Sequence, residues 1–248
     1  MSNTPLFIPY FRDENLWVDY REGIKGNSFT WAWERPTTQV QFLAIHHSVT
    51  KVRTTWTGEE GAKKYADEIA TIHVDGRNWG GVGYHFIVCP DGTLVYVGDV
   101  GTARANIKNF NQAVIGICMI GDFTKHLPTD AQITSMHELT NWFDGQRATW
   151  PNLKPTWDEM VQGHKTLHAA LGESATACPG SSWPVDMKWR IKTGTVYTPQ
   201  PPTEPEPGDP QEPEQPPITD PGDIPECCQV LSTRIDLLEL EINKLKRA

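Results

Sequence analysis

The chain has 248 residues, 38% of them hydrophobic, and 31 acidic against 22 basic side chains, which is room for one full-sized domain and a smaller appendage. The net charge of −9 is local, because residues 199–226 carry eight acidic side chains and no Lys or Arg; no basic stripe remains to serve nucleic acid. No run approaches the roughly 18 apolar residues that cross a bilayer, which excludes membrane insertion by a helix.

Residues 1–10 have neither a charged leader nor an apolar stretch, so no secretory signal is expected. Residues 1–37 read as an N-terminal extension packed on the core. Its Trp17, Trp31 and Trp33 either wrap that core or help to bind a sugar or peptide. Residues 41–46 form a buried strand that ends at the pair His46-His47. Thr57 with Glu60 spells a capping box, opening a helix that runs to about His73. Residues 84–89 and 93–97 flank Asp91-Gly92, a strong hairpin signal. Residues 113–120 are a further strand. Thr129 with Gln132 caps a second helix, with Ile133, Met136 and Phe143 inward and Gly145 at its end. Strands interleaved with helices predict an α/β layer structure, a single domain over residues 38–196.

Residues 197–226 then form a linker, eleven prolines falling within 199–225; with almost nothing apolar to bury, it should be an extended, self-repelling spacer. In residues 227–248, Leu231, Ile235, Leu238, Ile242 and Leu245 alternate in steps of four and three. That is a short coiled-coil seam with Ile at a and Leu at d, the choice that favours a parallel homodimer. Arg234 would face Glu239 of a second chain, and Glu241 would face Lys246. The other reading is an amphipathic helix that packs on its own domain. Of the five cysteines, Cys89 and Cys118 sit in apolar runs, Cys178 in a Gly/Pro-flanked loop, and Cys227 and Cys228 side by side; this is not the spacing of a disulfide scaffold.

A hydrolytic zinc needs three protein ligands and one open position. Ile45-His46-His47-Ser48 ends an apolar strand, where neighbours point to opposite faces, so one of the two His can face a site lined from that strand. Gly163-His164 and Cys178-Pro179-Gly180 supply further donors on loops. Singly, each has a bland explanation: a hydrogen-bonded strand-end His, or a buried Cys.

The joint pattern resembles a family. In order stand Ile45-His46-His47-Ser48, Gly83-Tyr84-His85-Phe86, Asp91-Gly92, Asn111 with Ile115-Gly116-Ile117, Gly163-His164 and Cys178-Pro179-Gly180. This set, over roughly residues 38–190, is similar to the zinc-dependent N-acetylmuramoyl-L-alanine amidases, which include phage lysozyme-type amidases and the peptidoglycan recognition proteins. The resemblance implies a mixed central β-sheet flanked by helices. It implies Zn2+ held by His46, His164 and Cys178, with Tyr84 and Thr176 near the scissile carbonyl. The implied reaction is hydrolysis of the bond between the lactyl group of N-acetylmuramic acid and L-alanine in bacterial peptidoglycan. The implied setting is a phage endolysin, made in the host cytoplasm and acting on the wall after release. A non-catalytic peptidoglycan binder made multivalent by the coiled coil, or a virion-associated amidase, are the alternatives. Binding-only members typically lack the Cys or the Tyr, and both stand here.

Three departures matter. His164 and Cys178 lie farther apart than the family's usual spacing, and the added residues 167–174 contain His168, a rival ligand. Arg104 stands where many members have His, and either binds a substrate carboxylate or lies on the surface. Gly81 replaces a frequent Asp. His47 and His73 are expected to be structural.

Overall fold

The computed structural model describes residues 16–26 and 34–196; Trp31, Trp33, the linker and the heptad seam lie outside the described residues. Six strands, β1 (Trp17–Asp19), β2 (Phe42–His47), β3 (Phe86–Val88), β4 (Leu94–Tyr96), β5 (Val114–Met119) and β6 (Val161–Gly163), form one sheet in the order β1-β4-β3-β5-β2-β6. Only β3 and β4 pair antiparallel, so this is the mixed central sheet of an α/β fold. Among the described residues five α-helices flank it: α1 (Gly58–Ala70), α2 (Asp130–Gly145), α3 (Trp157–Met160), α4 (His164–Ala170) and α5 (Asp186–Thr193). Among the described residues no helix is long and apolar enough to cross a membrane.

Strand alternation sorts the side chains into two cores. Leu43, Ile45, Phe86, Val88, Ile115, Ile117 and Met119 pack with Ile133, Met136, Leu139 and Phe143 of α2 and with Met187 and Ile191 of α5. Ile87 and Val95 point the other way, onto Tyr65, Ala66 and Ile69 of α1. His46 shares its parity with Phe42 and Ala44, so it leaves the α2 core and turns to the opposite face. Strand β1 lies on the sheet edge beside β4, and Trp17 packs its ring 5.7 Å from Tyr96.

Two sequence signals meet different fates. The Thr129–Gln132 capping box forms, Gln132 N–H donating to Thr129 Oγ1 and Gln132 Oε1 accepting from Thr129 N–H. The Thr57–Glu60 box does not: Thr57 is the N-cap without a side-chain bond, Glu60 pairs with Lys64, and Asp91 Oδ2 instead accepts the Gly58 N–H at 2.7 Å. A carboxylate from the hairpin turn outcompetes the local one. The first helix also ends sooner as α-helix, giving way to a π-helical turn over Thr71–Asp75. The hairpin turn itself needs glycine, with Gly92 at φ +90° and Asp91 Oδ1 accepting the Thr93 N–H.

No motif in the sequence points to Arg35. It is buried, and its guanidinium donates to the carbonyls of Val114 (2.6 Å), Gln112 (2.9 Å), Asn111 (3.0 Å) and Val100 (3.3 Å). Burial, with Arg104 nearby, lowers its pKa to about 9, so it is still charged at neutral pH. Arg35→Met strands these carbonyls without donors. Urea unfolding should show a loss of about 3 kcal/mol, the two buried acceptors, Val114 O and Val100 O, costing roughly 1–3 kcal/mol each while water reaches the part-buried Asn111 and Gln112 carbonyls.

Candidate metal centre

The carboxyl ends of the parallel strands β5, β2 and β6 open onto a cleft of about 430 Å³. His46 enters it from β2. The adjacent strand β6 ends at Gly163, paired with Ile45, so His164 starts α4 beside His46, with ring centroids 4.7 Å apart. His164 thus stands at a strand-to-helix junction, not on a loop as expected. Cys178 arrives on a loop tied to α4: Lys165 N–H donates to Cys178 O (2.8 Å), and Lys165 Nζ to Gly180 O (2.9 Å). One donor atom from each of His46, His164 and Cys178 lies within 4.8 Å of the others, and Cys178 Sγ is 3.6 Å from His46 Nδ1.

The glycines of the sequence motifs have a steric reason. A Cβ on Gly163 would lie 2.4 Å from Trp183 Nε1 and 2.8 Å from Pro179 Cδ; one on Gly180, at φ +137°, would lie 2.4 Å from Phe123 O. Each glycine lets the cysteine loop and its supports close onto the strand ends.

The chemistry of the three donors fits a soft or borderline dication. His46 Nε2 and His164 Nε2 are buried with no hydrogen-bond partner. Burial, reinforced by His164, holds His46 well below the usual imidazole range; burial, with His168 next, brings His164 down to about 4. Both are therefore neutral and able to donate a lone pair. Burial pushes the Cys178 thiol up to about 12, while the His47 N–H, 3.4 Å from Sγ, and Lys165 work the other way. A cation at this point would supply the charge that a thiolate needs. Two imidazoles and a thiolate match zinc, and three ligands leave a position open.

The remaining residues fall around this triad. Tyr84 lies with its ring centroid 5.0 Å from His46, and burial holds its phenol protonated, well above the ordinary tyrosine range. Thr176 lines the cleft, and its Oγ1 accepts the Cys178 N–H at 3.2 Å. His47 points away from the triad, and its Nδ1 accepts the Phe123 N–H. His168 packs edge-on against His164 and its Nδ1 lies 3.1 Å from Ser174 O; it is His164 that joins His46 and Cys178, and residues 167–170 are helix. Arg104 is neither on the surface nor in the cleft lining; it is buried, and its Nε donates to Thr102 Oγ1. His73 accepts the Gly83 N–H, and its ring packs at a tilt against both Trp79 and Tyr84. Cys118, directly across from His46 on β5, contacts the Tyr84 hydroxyl, and Asn106 lines the cleft floor. No motif pointed to Cys118 or Asn106, although β-strand parity puts Cys118 on the same face as Gly116.

Residues 36–181 match the N-acetylmuramoyl-L-alanine amidase family. The chain is 26% identical over 133 residues to the endolysin of Enterobacteria phage K11, covering 53% of this chain and 77% of that protein. It is 26% identical over 151 residues to peptidoglycan-recognition protein SC2 of Drosophila melanogaster, covering 60% and 74%. In fold it is similar to bumblebee PGRP-SA, with a TM-score of 0.52 and 23% identity over 75% of this chain and 98% of that one. The family match takes in more than half of the sequence and both ends of the donor triad, and the protein belongs to the N-acetylmuramoyl-L-alanine amidase family.

Proposed function

We propose that the protein hydrolyses the amide bond between the N-acetylmuramoyl lactyl group and L-alanine of peptidoglycan, with Zn2+ held by His46, His164 and Cys178, as a phage lytic enzyme acting on the bacterial wall. The observation that carries this reading is the convergence of three metal-ligating side chains, two of them with an orphaned ring nitrogen, in the lining of an open cleft. The similarity to a phage endolysin supports the lytic setting.

Zinc, when bound, is a Lewis acid that polarises a carbonyl and acidifies water. The protein's residues do the rest. His46 and His164 are neutral at physiological pH and need no deprotonation to act as donors. Tyr84 keeps its proton and can donate a hydrogen bond to the oxyanion that develops on the lactyl carbonyl. Thr176 already accepts the Cys178 N–H, which orients its hydroxyl and leaves its O–H to donate to the same oxygen. Hydrolysis breaks the C–N bond, puts the water oxygen on the lactyl carbon and a proton on the alanine nitrogen. No covalent enzyme intermediate is required.

The test is digestion of purified peptidoglycan. New L-alanine amino termini should appear and should be suppressed by a chelator and restored by zinc. Peptidoglycan binding without new termini, with metal content far below one ion per chain, would replace this reading with the binder named among its relatives.

A further inference from the structure

Two irregular pieces of backbone face the cleft. One is Val49, at φ +59°. Among the described residues the other non-glycine residues with positive φ are Asn78 and Asn109, a type that tolerates this region through its short polar side chain. A β-branched residue there is strained. The conformation is imposed by the turn that leaves β2: Ser48 and Val49 N–H donate to Met119 O and Gly121 O, both at 3.0 Å, and Ser48 Oγ accepts the Gly121 N–H. The turn demands a left-handed residue, and Asn or Gly would fill that demand without strain. Burial does not explain the valine, since it is 60% exposed.

The second irregular piece is the π-helical turn Thr71–Asp75, a form that concentrates at functional sites. It carries Ile72, which is 38% exposed, into the same cleft lining as Val49, His46 and Tyr84. Two exposed branched aliphatics, one on a backbone conformation that disfavours its presence and the other on a π-helical turn, therefore line the cleft that holds the donor triad.

We propose that Val49, with Ile72, is a substrate-contacting residue whose methyl groups receive an apolar group flanking the scissile amide, such as the lactyl or alanine methyl, and that its strained backbone is retained for this contact. The inference rests on the amidase reading. Strain at a binding position, tolerated because the surrounding turn over-determines it, is the expected trade.

The experiment compares the full chain with Val49→Asn, Val49→Thr and Val49→Ile, reading the melting temperature and the KM and kcat for a soluble muramoyl peptide. Val49→Asn removes the strain and the methyls together: the melting temperature should rise by about 2–4 °C and KM by about fivefold, with kcat within twofold. Val49→Thr keeps shape and strain but exchanges a methyl for a hydroxyl: KM should rise about threefold with the melting temperature unchanged. Val49→Ile should keep KM within twofold of the wild type. A KM within twofold of wild type for both the Asn and the Thr variants overturns the proposal, whatever the melting temperature. If the wild type cleaves nothing, the amidase reading fails, and sedimentation with insoluble peptidoglycan decides the contact: weaker binding of Val49→Asn upholds it and equal binding overturns it.

Discussion

Cys178→Ser is expected to lower amide hydrolysis by about 10³-fold or more, beyond the roughly 10–100-fold that follows loss of a residue that only orients a metal ligand. A serine oxygen is a poor substitute for a thiolate toward a borderline dication. The fold should survive. Cys178 is only partly buried, and a serine hydroxyl can accept the His47 N–H that Sγ now receives at 3.4 Å. Bound zinc should fall in parallel, measured by elemental analysis of dialysed protein, while the metal-free melting temperature stays within a degree or two. Full cleavage by the serine variant would remove Cys178 from the chemistry. Loss of activity with metal retained would assign it a different role from the one proposed.

Gly163→Ala should damage both stability and activity, although it adds one methyl group and touches no donor atom. The new Cβ would meet Trp183 Nε1 at 2.4 Å, Cε2 at 2.7 Å and Pro179 Cδ at 2.8 Å. None of the neighbours can give way cheaply. Trp183 is 2% exposed and its indole N–H donates to Thr166 Oγ1, Pro179 is covalently next to Cys178, and Gly163 itself is held in register against Ile45. Overpacking of this kind costs about 2–3 kcal/mol, or about 4–12 °C in melting temperature for a domain of this size. Whichever wall moves, either His164 or Cys178 moves with it, so hydrolysis should fall by at least tenfold in protein that is still folded. A variant with wild-type melting temperature and full activity would show that the loop yields without disturbing the donors.

Local rules carried much of the fold. The alternation of Phe42, Leu43, Ala44 and Ile45 determines which way His46 and His47 face, and the hairpin and the α2 cap depend on residues within a few positions of one another. The legible elements, β2, β5, α1, α2 and the β3–β4 hairpin, have six or more residues or an explicit turn signal, whereas α4 and α5, with seven and eight residues, are not among the elements the sequence predicts. Strands β1 and β6 have three residues each, too few for a period, and exist because β4 and β2 offer them a partner. Long-range competition decided the rest: Asp91 displaces Glu60 at the α1 terminus, and Arg35 bonds carbonyls more than sixty positions away. At the site, His46, His164, Cys178, Tyr84 and Thr176 came from motif resemblance, whereas Cys118 and Asn106 belong to no motif and become visible only when β5 lies beside β2.

Strand β2 lies between β5 and β6, its partners drawn from the middle and the end of the domain. His46 and Cys178 meet across a sequence separation of 132 residues. An ion shared by these side chains is therefore also a clasp on a very large loop, whose closure alone costs the free chain about 4 kcal/mol in entropy. Cleavage competence and completion of this long-range pairing would then be one event: a molecule with β6 undocked has no triad to load, and the loaded molecule resists unzipping from either end of the domain.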